Sequence, residues 1–333
     1  MATMDIAIEI GTTFTSIYVS GEGVVLREPS VVAYYGDDKK LLAVGRDAWE
    51  KKGKTPDGTT VVCPVADGYV SDFDVTKDMV AQFIKRILPP SYVIFPKIRA
   101  ILVVPTGLSV DERRIYEDAV LGAGVSECTL VENATAVALG TDLDLEKGGL
   151  VATIGGGVSE VALISSFGVI AGCSISVGGN MMDKALSDYL MGKYGVRIGS
   201  STARKLKEEI GSLYPGDVAS MDATGIGVDS FAPACVTVYA ADVYEAVAPY
   251  YARVSEAVSS VMSQCPPELA LEVAGEGLHL AGGGAKIAGV ERVIGAGIGI
   301  PVKVGFDCEL ASMIGAGKLL GNSRLLKEIL ERA

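Results

Sequence analysis

The sequence predicts an α/β protein of two similar halves, and three observations carry that reading. Strand-like and helix-like segments alternate along the 333 residues. A strand, glycine turn and second strand occur twice: Glu9-Ile10-Gly11-Thr12-Thr13-Phe14-Thr15 falls on Thr153-Ile154-Gly155-Gly156-Gly157-Val158-Ser159 at an offset of 144 residues. A hydrophobic share of 49% with 21% charged residues supplies one large or two medium cores and excludes a disordered or fibrous chain.

In order, Asp5–Ile10 alternates as a strand does, Gly11-Thr12-Thr13 interrupts it, and Ser16–Ser20, Val24–Arg27 and Ser30–Tyr34 follow as strands joined by glycine-containing turns. Thr76–Leu88 has helical spacing and stops at Pro89-Pro90, and Arg99–Val104 is an apolar strand stopped by Pro105. Val110–Leu121 is an amphipathic helix opened by Ser109, with Glu112 placed to complete a capping box. The second meander runs through Leu150–Ile154, Glu160–Ser165 and Val169–Ser176. Helices are then expected at Met182–Tyr194, Thr202–Leu213, Asp242–Gln264, Leu310–Leu320 and Ser323–Arg332. The Gly/Asp/Ala-rich stretch from Tyr214 to Thr237 is expected to hold a small hairpin or loop at a domain edge.

A balance of 29 Lys and Arg against 41 Asp and Glu gives a net charge of −12, which disfavours a nucleic-acid partner. Cys63, Cys128, Cys173, Cys235, Cys265 and Cys308 lie far apart without C-x-x-C spacing, so reduced thiols in a reducing cytoplasm are expected rather than a zinc site or a disulfide framework. Met1–Asp5 is too short and polar for a signal peptide, and no apolar run approaches the roughly 20 residues of a spanning helix. His279 is the single histidine and is read as structural; with no G-x-S-x-G motif a Ser-His-Asp hydrolase is disfavoured. Trp49 is open to two readings, an interface residue or local packing.

The 41 glycines exceed the roughly 7% of ordinary usage and gather in clusters. A tight Gly/Thr turn between two strands exposes consecutive backbone N–H groups, and two such turns across a cleft can grip a polyphosphate from both sides. A third cluster, Gly282-Gly283-Gly284, ends a short apolar strand and is expected to open a helix near Ala285-Lys286, an anion or nucleotide site. Other nucleotide motifs fail: in Gly315-Ala316-Gly317-Lys318, Ser312 occupies the earlier glycine of a Walker loop and Leu319 its Ser/Thr.

Five motifs now stand in a recognisable order: Ile10-Gly11-Thr12-Thr13, Val65 to Phe73, Ile154 to Val161, Gly178-Gly179-Asn180-Met181-Met182-Asp183, and Ala281 to Gly289. Over essentially its whole length the chain resembles the actin-like ATPases, and within them the MreB family of bacterial cell-shape actins. The resemblance implies an actin-like ATPase fold: two duplicated domains, each split into a large and a small subdomain, around a nucleotide cleft. The first would span 1–148 with a small insert over 33–67 and the C-terminal helix 321–333 packing back on it. The second would span 149–320 with an insert over 183–245. Also implied are ATP or ADP with Mg²⁺, and head-to-tail self-assembly into paired protofilaments. The expected location is the cytoplasm at the inner membrane face, reached directly or through a membrane adaptor.

By the same resemblance, Thr12, Thr13 and Phe14 form the first phosphate turn, Gly156, Gly157 and Val158 the second, and Gly283, Gly284, Ala285 and Lys286 the adenosine turn. The family's Glu-x-x-Lys helix over the nucleoside reads Arg204-Lys205-Leu206-Lys207 here, so Lys207 carries over, Arg204 departs, and the adjacent Glu208 is an alternative ribose contact.

Three further departures concern charge. Glu9 stands where the family has Asp, as a candidate Mg²⁺ group acting through water. Thr153 stands at a second Asp position and brings no charge. Asn133 falls on the Glu that polarises the attacking water, and an amide cannot take a proton at neutral pH. Glu132, about 100° away around a helix, would point elsewhere. ATP binding with slow or absent hydrolysis is therefore expected.

The family's membrane loop corresponds to Tyr92-Val93-Ile94-Phe95, followed by Lys97 and Arg99; Ile94 and Phe95 either enter a bilayer interface or begin the strand to Val104. The leading expectation is an MreB-like cytoskeletal filament for cell shape or intracellular positioning. The alternatives are a non-polymerising ATPase of the same superfold, of sugar-kinase or chaperone type, and a specialised plasmid- or organelle-positioning filament.

Overall fold

The computed structural model describes residues 3–36, 38–55, 57–88 and 96–332. Ile94 and Phe95, the expected membrane tip, lie outside the described residues. The first half runs β1 (Thr3–Ile10), β2 (Phe14–Val19), β3 (Gly23–Pro29), β4 (Val32–Tyr35), β5 (Lys40–Val44), α1 (Arg46–Trp49), β6 (Thr59–Val62), β7 (Val65–Ala66), β8 (Tyr69–Val70), α2 (Phe73–Ile87), β9 (Lys97–Val104), α3 (Val110–Gly122), β10 (Glu127–Glu132) and α4 (Asn133–Gly140). The remainder runs β11 (Gly149–Ile154), β12 (Ser159–Ser165), β13 (Gly168–Ile175), α5 (Gly179–Tyr194), β14 (Val196–Arg197), α6 (Ser200–Ile210), β15 (Ser220–Gly227), β16 (Pro233–Tyr239), α7 (Ala240–Met262), α8 (Ala270–Glu276), β17 (Leu278–Ala281), α9 (Val290–Ile298), β18 (Val302–Val304), α10 (Ala311–Leu320) and α11 (Ser323–Leu330).

The repeat in sequence becomes a repeat in topology. One five-stranded sheet has the order β10-β9-β1-β2-β3 and the other β13-β12-β11-β17-β18, so the strands that carry the duplicated motif occupy the same places in each. In both, the meander pairs are antiparallel and the two strands added later are parallel. The parallel strands need crossover segments, which supply the covering helices. Strands β5-β4-β6 make a small sheet beside α1, and β14-β15-β16 make another beside α5 and α6. The stretch from Tyr214 to Thr237 does hold a hairpin, β15–β16. Ser30–Tyr34 does not extend the first meander; β4 turns away into the small sheet.

Helix α3 begins as its sequence requires: Glu112 N donates to Ser109 Oγ at 3.3 Å and Ser109 N donates to Glu112 Oε2 at 2.8 Å. The third glycine cluster opens only a single 3-10 turn, Gly283–Lys286; α9 starts later, after Gly289 at φ 84°, a conformation that suits glycine.

Each sheet has its own core, around Ile8, Phe83 and Leu102 in the first and Leu150, Leu206 and Val254 in the second. A third apolar cluster joins them, with Ala7 and Ile101 from one sheet, Val151 and Ala162 from the other, and helices α4 and α10 between. Those two helices touch backbone to backbone. A Cβ added at Gly140 would meet the Ala311 carbonyl, and one at Gly315 would meet the Ala136 carbonyl. Gly315 to Lys318 therefore lie inside α10, where Lys318 Nζ donates to Leu139 O and Asp142 Oδ1, both at 2.6 Å, and serve packing.

Candidate functional site: a cleft between two glycine turns

The two phosphate-turn candidates have the same construction. Gly11 N donates to Phe14 O at 2.9 Å, and Gly155 N donates to Val158 O at 2.9 Å. The turns face one another so closely that a Cβ on Gly156 would strike Thr13 Oγ1, and one on Gly157 would lie 2.5 Å from Thr12 Oγ1 and 3.0 Å from the Asp67 backbone. Glycine is required at 156 and 157 by approach, not by turn geometry. The third turn packs on the second through Ile154, which a Cβ on Gly282 or Gly284 would penetrate. Tyr251, buried on α7, donates its hydroxyl to Gly284 O at 2.8 Å and fixes that turn.

Two adjoining cavities follow from this packing. One, of about 140 Å³, holds the turns Gly11–Phe14 and Gly155–Val158 with Glu9, Asn133, Thr153 and Glu160 at its base. The other, of about 400 Å³, is lined by Thr13, Phe14, Arg204, Lys207, Glu208, Gly283, Gly284 and Lys286. Nearly all of the residues expected at the site are thus gathered in one cleft. Ala285 is the exception, for its side chain is buried in the second core.

Lys207 is committed locally: its Nζ is 2.5 Å from Asp183 Oδ1 and donates to Gly179 O at 2.8 Å. Arg204 donates to Asn180 Oδ1 at 2.8 Å and to Asp183 Oδ2 at 3.2 Å.

The charge at the base differs from what the sequence suggests. Glu160, on β12, is 4% exposed and stands opposite Thr153 in the β11–β12 register. Its Oε1 accepts from Thr106 N at 2.5 Å, and its Oε2 accepts from Thr153 Oγ1 at 3.2 Å and from Asn133 Nδ2. Burial pushes its carboxyl up to about 7, opposed by those three donors and assisted by Glu9. Glu9 is also held above the ordinary carboxylate range by burial, while Ser312 Oγ donates to its Oε2 at 2.7 Å. Asn133 opens α4, and its buried Oδ1 has no hydrogen-bond partner among the described residues. Glu132 does point elsewhere: it pairs with Arg113 in a separate cavity.

Sequence reasoning missed Glu160, although the signal was present. Residues 153 and 160 flank the second turn as 9 and 16 flank the first, and both pairs are cross-strand partners. It also missed Arg27, which stacks on Phe14 at 4.1 Å, pairs with Glu309 at 3.5 Å and lines both cavities. His279, buried on β17, faces Glu276 at 3.4 Å, and its pKa is lowered by burial, consistent with packing.

Two duplicated halves whose glycine turns close on a shared cleft define a nucleotide-binding protein of the actin-like class. The family model for the MreB/Mbl protein matches residues 3–328, and the chain belongs to that family. It is 38% identical to the cell shape-determining protein MreB of Escherichia coli (strain K12) over 327 residues, covering 96% of this chain and 94% of that one. It is 31% identical to the cell shape-determining protein Mbl of Bacillus subtilis (strain 168), covering 97% of each. MreB5 of Spiroplasma citri bound to ADP superposes with a TM-score of 0.90 at 27% identity over 99% of both chains. The MamK double helical filament has the same fold, with a TM-score of 0.81 at 19% identity, over 96% of this chain and 99% of that one.

Proposed function

We propose that this chain is a nucleotide-dependent, filament-forming bacterial actin that sets cell shape or positions another cellular structure. One observation carries the nucleotide assignment: two matched glycine turns meet in contact, with a third beside them, in a fold that superposes on S. citri MreB5 bound to ADP and to AMPPNP. Thr12, Thr13, Gly156 and Gly157 would hold the phosphates of ATP or ADP, and Gly283, Gly284 and Lys286 the adenosine, with Glu208 near the ribose. Among the described residues no group of three His, Cys, Asp or Glu side chains is placed to hold a metal ion directly, so Mg²⁺ would be met here through its water shell. Glu9 would hold the ion through water, and the ion, when bound, would neutralise phosphate charge.

Hydrolysis in this reading is slow. The unpartnered Asn133 Oδ1 can orient a water but cannot take its proton. Glu160 is the nearest carboxylate to Asn133 in the cleft, and three donors hold it while it titrates near neutral pH. The donors, which already occupy both of its oxygens, make it a weak proton acceptor, whereas its raised pKa by itself would favour base catalysis.

Assembly is tested by electron microscopy of the purified protein with ATP, with ADP and without nucleotide. Filaments with ATP are expected, and single particles in all three conditions would turn the assignment to a non-polymerising ATPase. Membrane attachment through Ile94 and Phe95, rather than only through an adaptor, is tested by liposome co-sedimentation of wild type and Ile94→Asp/Phe95→Asp. Among the described residues no helix is long and apolar enough to cross a membrane, so contact would be superficial.

A further inference from the structure

Arg204 has a second neighbour besides the nucleotide cavity. Its guanidinium carbon lies 4.9 Å from the centroid of the Trp49 ring. Trp49 ends α1, beside the small sheet of the first half, and Arg204 belongs to α6 in the second, so the stack crosses the opening between halves. Among the described residues it is the one cation–π contact that does so.

The contact is wired to the first phosphate turn. Arg204 Nη2 donates to Asn180 Oδ1 at 2.8 Å, and Thr13 Oγ1 donates to the same oxygen at 3.4 Å. Asp183 takes the other edge of the guanidinium. With Thr13, Asn180 and Asp183, Arg204 also lines both the 400 Å³ cavity and a neighbouring one of about 380 Å³, which Trp49 and Lys52 line as well. Lys52 Nζ lies over the same indole at 4.9 Å, so the ring is held from its own half as well.

We propose that Trp49 is a positioning residue of the nucleotide site: by stacking on Arg204 it holds the guanidinium across the cleft mouth and slows escape of bound nucleotide. This rests on the nucleotide-binding reading above. Both residues are part-buried, with 20% of the Arg204 side chain exposed, and a third residue fixes the guanidinium edge, which places the contact between the exposed and the desolvated forms of this interaction. Arginine suits the role better than the family's glutamate, because only a cation is attracted to the ring face.

The test is stopped-flow release of a fluorescent ADP analogue from wild type, Trp49→Ala, Trp49→Phe, Arg204→Ala and the Trp49→Ala/Arg204→Ala double variant. Release is expected to be about tenfold faster in either alanine variant and no faster in the double variant, with Trp49→Phe within about threefold of wild type because a ring face remains. Release from Trp49→Ala and Arg204→Ala at the wild-type rate, or equal release from Trp49→Phe and Trp49→Ala, would overturn the proposal. Trp49 is the single tryptophan, so its emission in nucleotide-free protein reports the stack separately and should change in Arg204→Ala. A wild type that binds no ADP analogue would defeat the nucleotide reading itself, whereas binding with unaltered release defeats only the role of Trp49.

Discussion

Glu160 faces Thr153 across the antiparallel pair β11–β12, as Ser16 faces Glu9 across β1–β2. The two halves of the molecule thus each place one carboxylate and one hydroxyl beside a glycine turn, with their strands exchanged. In the first half the acid precedes the turn, and in the second it follows. The second half therefore does bring a carboxylate to the cleft, from the neighbouring strand.

This arrangement has a signature in acid–base behaviour. The Glu160 carboxyl rises from an ordinary 4.5 to about 7 through burial. A raised acid holds its proton more tightly folded than unfolded, so this stabilisation is complete below pH 4.5 and is lost as pH climbs through about 7. Thermal unfolding of nucleotide-free protein should show Tm falling over that window. Glu160→Gln should flatten that part of the curve and gain on the order of 2 kcal/mol near pH 8, since the freed Asn133 amide can turn its Oδ1 toward the new side-chain N–H. A wild-type curve with no decline there would contradict the assignment.

Asn133→Glu should raise phosphate release on the order of 10²-fold, the gain of a positioned general base. Glu160, raised to about 7, would share a proton with a carboxylate placed at the present Asn133 contact, so the gain requires the new side chain to take the rotamer that points into the cavity. Unchanged turnover in a variant that still binds ATP would show that the amide is not what limits hydrolysis.

Close approach of the turns makes a steric prediction. Gly156→Ala and Gly157→Ala each put a methyl into the facing threonine and should weaken ADP binding more than tenfold by calorimetry, a loss of roughly 1.4 kcal/mol or more. Gly192→Ala, where the added methyl meets nothing within 4 Å, should bind as wild type does.

Tyr251→Phe should weaken ADP about three- to tenfold, because the part-buried Gly284 carbonyl loses a donor worth roughly 0.5–1.5 kcal/mol. Equal affinity would mean that the third turn holds its shape without the hydroxyl.

The legible parts of this protein are those written locally or by repetition. The duplicated meander, the capping box at Ser109 and Glu112, and the hairpin after Tyr214 all rest on near neighbours or an internal copy. The third turn was only half legible, since Gly289 at φ 84° delays the helix that Gly282–Gly284 seemed to open. Glu160 escaped for a different reason. Strands β11 and β12 are buried on both faces, so alternation, the usual sign of which side chains point inward, is absent there. Trp49 and Arg204 lie far apart in the chain, and their contact exists only after both small sheets are in place.

The glycine crossing of α4 and α10 has a mechanical meaning. Asn133 begins α4, and Ser312, which holds Glu9, lies in the first turn of α10, so both helices start at the base of the cleft. They meet at Gly140 and Gly315 with no side chain between them. A pivot made of bare backbone has no rotamers to rearrange when it turns. Were one half to rotate against the other, Asn133 and Ser312 at the two helix starts would move with it, and the base of the cleft would change shape with the angle between the halves.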